Sequence, residues 1–266
     1  MTSSDPMFTR STDGSEIHYE VTGDADTALV FVHGWMGNLR WWDHQRDAFA
    51  PTHRVVTLDL AGHGQSSRTR TTWTAAAYAQ DITAVVQAVA APRVVLVGHS
   101  MSGAYVLAAC PELDPDRLVG VILVDTLKNL DGLPSAAQAD GMFAGYRADY
   151  PKAVETLLPK FLFSANTPPA VSARLTHEFL ATTGDVAATL LEPLYRFDVR
   201  EAARRVRVPV RGIGSDLHPY DREANRHYLA DYDHLVIPGY GHYPMLEAPA
   251  LFDAALRTQL AALDRL

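Results

Sequence analysis

The chain has 266 residues, of which 47% are hydrophobic and 20% charged, enough to bury the core of one large domain. Lys and Arg number 23 against 31 Asp and Glu, a formal net charge of -8 with no basic run, which excludes nucleic acid as an expected partner. Cys110 is the only cysteine, so an intramolecular disulfide and a cysteine metal cluster are both excluded.

The start of the chain, MTSSDPMFTR, lacks the charged and then apolar pattern of a signal peptide. No stretch approaches the roughly 20 apolar residues that cross a bilayer. We therefore expect a soluble, cytoplasmic protein without a membrane partner, present as either a monomer or a homodimer.

The first half of the chain alternates β-branched runs with helix-period segments, the pattern of βα units around a mainly parallel sheet. The stretch FTRSTDGSEIHYEVTGD near the N-terminus predicts an antiparallel hairpin, so the sheet is expected to be mixed. The predicted buried strands are 28–34, 54–60, 93–99 and 119–125. The predicted helices between them are 39–50, 74–91 and 101–110.

The pattern changes after Asp125, where helix-period segments and prolines predict three or four helices but no strand. Strand patterns return at 208–216 and 234–239, before a helix that runs to the C-terminus. The sequence thus predicts an α/β fold with a mostly parallel mixed sheet flanked by helices. Its core comprises 1–126 and 206–266, and a helical cap, 127–205, is inserted between two late core strands.

The stretch VVLVGHSMSGAYVLAA, 94–109, is a strand-like run that breaks at a glycine, presents one serine and resumes as a small-residue helix. A sharp strand-to-helix turn holds its corner residue in a strained conformation and exposes that side chain above the sheet edge. Small neighbours are needed there, and Gly98, Ser102 and Gly103 are small. This pattern indicates that Ser100 is a nucleophile, although Ser102 stands where G-x-S-x-G has glycine.

A serine nucleophile needs a histidine base and an acid that orients it. His242 is the candidate base because it lies in PGYGHYPMLEAP, a glycine-flanked loop after the last strand. Asp216 is the favoured acid, since it follows a glycine-rich strand and gives the chain order Ser, Asp, His. Asp125 ends the preceding strand and remains the alternative acid, or a structural residue at the mouth of the cap.

The oxyanion that forms on attack needs preorganised N–H donors. The backbone N–H of Met101 lies at the positive end of the helix that Ser100 opens. The backbone N–H of Trp35 is the second candidate, in the turn after the strand VFVHG.

Four motifs together resemble the α/β-hydrolase superfamily, in particular single-domain serine hydrolases with a helical cap of the esterase, lactonase and haloperoxidase type. They are VFVHGW, DLAGHGQS (59–66), GHSMSG and GYGHYPMLEAP, in that order. The resemblance implies the triad Ser100, Asp216 and His242, with the Trp35 and Met101 N–H groups as the oxyanion hole. It also implies that Asp59 and His63 shape a loop near the site. Epoxide hydrolases and haloalkane dehalogenases are disfavoured because they place an aspartate at the corner.

The predicted function is a serine hydrolase that forms an acyl-enzyme on a small to medium, largely apolar carboxylic ester or lactone, without metal or organic cofactor. Three alternatives stay open: a small-molecule sensor with slow turnover, which the serine at 102 suggests; a carbon–carbon bond hydrolase; and a cofactor-free perhydrolase. The candidate pocket residues are Trp35, Trp41, Phe143, Tyr146 and Phe161.

Overall fold

The computed structural model describes residues 6–263, and a single mixed sheet of eight strands forms the centre of that region. The strands in chain order are β1 Met7–Arg10, β2 Glu16–Thr22, β3 Thr27–Val32, β4 Arg54–Leu58, β5 Arg93–His99, β6 Leu118–Val124, β7 Val210–Ser215 and β8 Tyr232–Ile237. Their spatial order is β1-β2-β4-β3-β5-β6-β7-β8.

Six strands, β3 to β8, run parallel, and the hairpin β1–β2 joins them antiparallel through β4. The central strands are almost entirely buried, as their continuous Val, Leu and Ile runs require of strands covered on both faces. The predicted mostly parallel mixed sheet is confirmed.

Helices cover the sheet in two packed groups and form a further layer above its carboxyl edge. In chain order the α-helices are α1 Asp43–Phe49, α2 Ala75–Val89, α3 Met101–Ala109, α4 Ala136–Ala148, α5 Tyr150–Leu157, α6 Pro169–Leu180, α7 Gly184–Tyr195, α8 Val199–Arg205, α9 Arg222–Arg226, α10 Pro244–Glu247 and α11 Pro249–Leu263. One group contains α2, α3 and α8, and the other contains α1, α10 and α11.

The segment between β6 and β7 carries α4 to α8 and a π-helical turn, Leu158–Leu162. Helix α4 packs against α7, and α5 packs against α6, so these four helices form a unit of their own. Helix α8, the last part of the predicted cap, instead packs against α3 of the core.

The C-terminal helix is two helices rather than the one predicted. Proline has no backbone N–H to continue α10 but suits the first turn of a helix, so Pro249 begins α11 after the break at Ala248. The predicted continuation beyond 263 lies outside the described residues. Within 6–263, no helix combines the length and apolar character that a membrane span requires.

Candidate active site

Ser100 lies at the corner between β5 and α3. Its backbone adopts φ 52° and ψ -119°, a left-handed conformation that non-glycine residues rarely take. Helix and strand come so close that a Cβ on Gly98 would lie 2.8 Å from the carbonyl oxygen of Ser102. This geometry raises the Ser100 side chain above the sheet edge, where it is partly exposed.

Ser102 is fully buried in the first turn of α3, and its hydroxyl donates a hydrogen bond to the backbone carbonyl of His33. His33 directly follows β3 and leads into the turn containing Trp35. The departure from G-x-S-x-G therefore fits the corner and adds a bond from α3 to that turn, which a glycine could not make.

Removing the Ser102 hydroxyl is expected to destabilise the fold. In Ser102→Ala the buried His33 carbonyl loses its donor, so the free energy of unfolding should fall by about 1–3 kcal/mol. Ser102→Gly should cost about a further 1 kcal/mol because glycine has a lower helix propensity than alanine. Urea denaturation measures both, with Ser172→Ala on α6 as control, because the bond from Ser172 to the Pro169 carbonyl is solvent-exposed. An unchanged urea midpoint in Ser102→Ala would contradict a stabilising role for the bond from Ser102 to the His33 carbonyl.

His242 is held by contacts on both sides of its loop. The carboxylate of Glu247 accepts from the backbone N–H groups of Gly241 (2.8 Å) and Tyr243 (2.9 Å). The His242 N–H donates to the Leu162 carbonyl of the π-helical turn at 2.7 Å. These bonds fix the backbone on both sides of His242, whose side chain is 14% exposed.

A chain of short hydrogen bonds joins three of the predicted site residues. Ser100 Oγ lies 2.8 Å from His242 Nε2, and His242 Nδ1 lies 2.7 Å from Asp125 Oδ2. The Asp125 side chain is completely buried. This chain runs from a partly exposed hydroxyl to a buried carboxylate.

The favoured acid, Asp216, was the wrong choice for the partner of His242. Asp216 is exposed and accepts the backbone N–H of Gly239 at 2.8 Å. The alternative, Asp125, takes that place because its backbone turns at φ 45°, which directs the carboxylate under the histidine loop.

The Asp125 carboxylate is saturated with donors. Oδ1 lies 2.6 Å from the Ser215 N–H, 3.0 Å from Ser215 Oγ and 2.8 Å from Lys128 Nζ. Burial raises the pKa of Asp125, but hydrogen bonding and charge from His242 and Lys128 outweigh it and lower the pKa to about 2. Asp125 is therefore ionised at neutral pH.

The N–H groups of Trp35 and Met101 flank the Ser100 corner. Met101 is the first residue of α3, where a helix leaves its N–H without an intrahelical partner. Within residues 6–263, the turns, loops and helix caps contain no backbone hydrogen bond in which the N–H of Trp35 or of Met101 is the donor. A Cβ on Gly34 would lie 3.0 Å from Ser100 Cβ, so the Trp35 turn passes directly beside the corner.

Hydrogen bonds of His33 and Asp59 hold the turn that contains Trp35 and the loops next to it. His33 Nδ1 donates to the Gly34 carbonyl at 2.7 Å, while His33 Nε2 accepts the Leu60 N–H at 3.1 Å. Asp59 accepts from His18 Nδ1 and from the backbone of the neighbouring loops. With these contacts Asp59 orders the loops around it, which is the role that the resemblance implies for this residue.

The sequence profile of the alpha/beta hydrolase family matches residues 29–255. The chain belongs to the alpha/beta hydrolase family. A non-heme chloroperoxidase from Streptomyces lividans is 32% identical over 134 residues, 47% of this chain and 49% of that protein. The bifunctional esterase/perhydrolase DCH of Acinetobacter calcoaceticus is 34% identical over 137 residues, 48% of this chain and 50% of that protein. The aligned part thus spans about half the length of each of these relatives.

Solved structures share the fold over nearly the whole length of this alpha/beta hydrolase. A bromoperoxidase from Bacillus anthracis has a TM-score of 0.85 at 19% identity, covering 97% of this chain and 100% of that chain. The enol-lactonase from Burkholderia xenovorans LB400 has a TM-score of 0.81 at 21% identity, covering 96% of this chain and 100% of that chain. At identities this low, the structural similarity shows a shared fold and no more.

Three of the five aromatic pocket candidates form one cluster in this alpha/beta hydrolase. The Trp35 indole stacks on Tyr146 with centroids 5.3 Å apart, and Phe143 packs edge-on against Tyr146 at 6.4 Å. Trp35 Nε1 also donates to the Ala187 carbonyl of α7 at 2.9 Å. The cluster therefore ties the Trp35 turn to the cap helices.

The other two candidates lie elsewhere. Trp41 is fully buried against Gly37 of the Trp35 turn, and its Nε1 donates to Glu178 of α6 at 2.7 Å. Phe161 is 41% exposed with Lys160 Nζ 5.1 Å above its ring. Phe161 is therefore a surface residue of the π-helical turn.

A cavity of about 560 Å³ lies between the cap and the core, next to the Trp35 turn. Met36 and Gly37 form one wall, and the opposite wall comes from α7 through Val186 and Leu190. Trp73 and the charged residues Arg68, Arg70, Glu178 and Asp185 complete much of the lining. Neither Ser100 nor His242 is among its lining residues.

Sequence reasoning missed two residues that hold the site together. Glu247 was part of the quoted histidine motif, but only the folded loop shows that its carboxylate binds both neighbours of His242. Lys128 lies three residues after Asp125, a spacing that gave no signal without the turn between them.

Proposed function

We propose that this alpha/beta hydrolase cleaves a carboxylic ester or lactone by acyl transfer, with Ser100 as nucleophile, His242 as general base and Asp125 as the orienting acid. The observation that carries this proposal is the continuous hydrogen-bond chain from Ser100 Oγ through His242 to Asp125. A nucleophile bonded to a base, and that base bonded to an orienting acid, each at about 2.6–3.2 Å, is the signature of this chemistry.

In the acylation step, Ser100 Oγ attacks the substrate carbonyl carbon while His242 Nε2 takes the hydroxyl proton. The negative charge moves to the carbonyl oxygen, where the N–H groups of Trp35 and Met101 stabilise it. The tetrahedral intermediate then collapses, the carbon–oxygen bond to the alcohol breaks, and His242 returns the proton to the leaving oxygen. The acyl group remains on Ser100.

In the deacylation step, His242 removes a proton from water, and the hydroxide oxygen attacks the acyl carbon. Collapse of the second tetrahedral intermediate releases the acid and returns the proton to Ser100. Asp125 keeps a proton on His242 Nδ1 throughout, so that Nε2 stays free to accept.

The size of the space beside the Ser100 corner supports a small to medium substrate, and its wall of Met36, Val186 and Leu190 supports a largely apolar one. Trp35 and Tyr146 form a buried aromatic stack between the turn and the cap helices. The adjacent cavity of about 560 Å³ falls within the usual 300–1,000 Å³ of small-molecule sites. We place one side of the substrate in this cavity, past Met36.

The test measures initial rates on 4-nitrophenyl esters of increasing acyl length and on one simple lactone, together with fluorophosphonate labelling. We expect kcat of at least about 1 s⁻¹ on one of these substrates. Mass spectrometry should place the label on Ser100 in native protein and on no residue in urea-unfolded protein.

Two results would contradict the proposal. One is labelling at a residue other than Ser100. The other is the absence of both labelling and turnover across the panel, which would favour the sensor alternative if a ligand nevertheless raised the melting temperature.

A second candidate activity is perhydrolysis, which the names of the chloroperoxidase and esterase/perhydrolase relatives favour. Here hydrogen peroxide replaces water: its oxygen attacks the acyl-Ser100, a proton passes to His242, and the products are a peracid and free enzyme. Peracid formed from acetate or an acetate ester plus hydrogen peroxide, and lost in Ser100→Ala, would support this activity.

A further inference from the structure

Lys128 is a buried cation in direct contact with the acid of the proposed triad. Its Nζ lies 2.8 Å from Asp125 Oδ1, and only 9% of its side chain is exposed. The chain has three lysines against 20 arginines, and the other two, Lys152 and Lys160, lie in the cap. A buried charge requires a partner, and Lys128 has found it in a carboxylate that already serves His242.

We propose that Lys128 is a positioning residue that acts through Asp125: its ammonium group neutralises the carboxylate and so limits how strongly that carboxylate stabilises a protonated His242. The inference rests on the proposed function, in which His242 must be unprotonated to accept the Ser100 proton. Lys128 thereby keeps the base available at lower pH than an unneutralised acid would allow.

The backbone between the two residues is bent to create this contact. Asp125 and Leu127 both have positive φ values, 45° and 46°. Two strained non-glycine residues within three positions are unfavourable unless the surrounding structure compensates. Their effect is to fold the chain back, so that Lys128 meets Asp125 on the side opposite His242.

The remaining contacts of Lys128 are neutral. Nζ donates to the Ser215 carbonyl at 2.8 Å and lies 5.1 Å from the centre of the Tyr220 ring. Burial raises the pKa of Tyr220 well above its ordinary value, so this phenol carries no charge at neutral pH. Tyr220 in turn stacks on His234, whose pKa is lowered by burial and by Arg222.

Within residues 6–263, no second carboxylate binds the His242 ring directly. His99 donates from Nε2 to the His242 carbonyl, and burial followed by the charge of His242 lowers the pKa of His99 to about 3. Glu247 binds the backbone on both sides of the ring, and Tyr243 packs edge-on against it. Asp125 is thus the carboxylate that pairs with the imidazole.

A charge count shows the consequence. With His242 neutral, the buried group of Asp125, Lys128 and His242 has no net charge, and protonation of the imidazole makes it +1. Without Lys128 the same group would start at -1 and become neutral on protonation. Because an uncompensated charge is unfavourable in a buried setting, the lysine disfavours the imidazolium.

The experiment compares wild type with Lys128→Met and Lys128→Gln. The titration of the His242 ring is followed by NMR of its Cε1–H, assigned by its loss in His242→Gln. We expect the midpoint to rise by about one pH unit in both variants, the scale on which one nearby charge acts. The acid limb of kcat/KM for the best ester should move upward by the same amount.

Two matched variants complete the design. Lys128→Arg retains the charge and should return both the midpoint and the acid limb toward wild type. Lys152→Met removes an exposed lysine of α5 and should leave both unchanged. Lys128→Gln keeps a donor for Asp125 and remains usable if the methionine variant does not fold.

The outcomes separate this inference from the proposed function. A folded neutral variant with lower stability but an unchanged His242 midpoint would overturn the inference, since a purely structural lysine predicts that result. A raised midpoint in a protein without ester turnover would support the electrostatic role of Lys128 while contradicting the proposed activity.

Discussion

Replacing Ser100 with alanine is expected to lower kcat for ester hydrolysis by roughly a million-fold. The variant keeps the His242–Asp125 pair and the two backbone N–H groups but has no oxygen to attack the carbonyl. Residual rate enhancement should come only from the oxyanion donors and from binding. Stopped assays over hours on the best 4-nitrophenyl ester measure the remaining rate against the spontaneous reaction.

The Ser100 variant needs a control for folding and one for additivity. Circular dichroism and thermal melting should match wild type, because alanine removes one partly exposed oxygen and keeps the same backbone strain. Ser172→Ala, on the cap helix α6, should retain full activity. Adding His242→Ala to Ser100→Ala should cause no further loss, since residues that act as one unit are not additive. Activity within tenfold of wild type would contradict the nucleophile assignment.

The sheet was predictable because its signals are local and redundant. The central parallel strands β3, β5 and β6 are continuous apolar runs rich in Val, Leu and Ile, and the structure buries nearly all of their residues. The Ser100 corner was equally local, since glycine and serine neighbours are what a close strand-to-helix approach requires. His242 followed from its glycine-flanked loop.

The acid was not decided by local pattern, because both candidates lie at the same edge of the sheet. Strands β6 and β7 are hydrogen-bonded neighbours, with Val124 opposite Ile213, so Asp125 and Asp216 follow adjacent strands. The difference lies in the positive φ of Asp125 and in the donors of Ser215, which fix its carboxylate under His242. Neither is visible in the sequence.

The cap was predictable as helical but not in its contacts. Helical periodicity indicates which residues share a face, whereas the partner of that face depends on how the helices pack. Tyr146 meets Trp35, whereas Phe161 lies at an exposed position of the π-helical turn. The five aromatic candidates were indistinguishable before packing was known.

Replacing Asp125 with asparagine is expected to lower kcat by about ten-thousand-fold, whereas Asp216→Asn should remain within about threefold of wild type. An asparagine that turns its amide N–H₂ toward His242 Nδ1 favours the tautomer that carries its proton on Nε2, and that nitrogen then cannot accept the Ser100 proton. At position 216 the asparagine oxygen can still accept the Gly239 N–H. Rates on one ester at saturating concentration compare the two variants directly.

The Asp125 variant also leaves Lys128 buried beside a neutral partner, which should lower the free energy of unfolding by about 3 kcal/mol. The double variant Asp125→Asn with Lys128→Met removes that unpaired charge, so it should regain much of the stability while the rate stays low. Recovery of activity with stability would mean that Asp125 is structural. A large loss in Asp216→Asn with an active Asp125→Asn would instead restore Asp216 as the acid that orients His242.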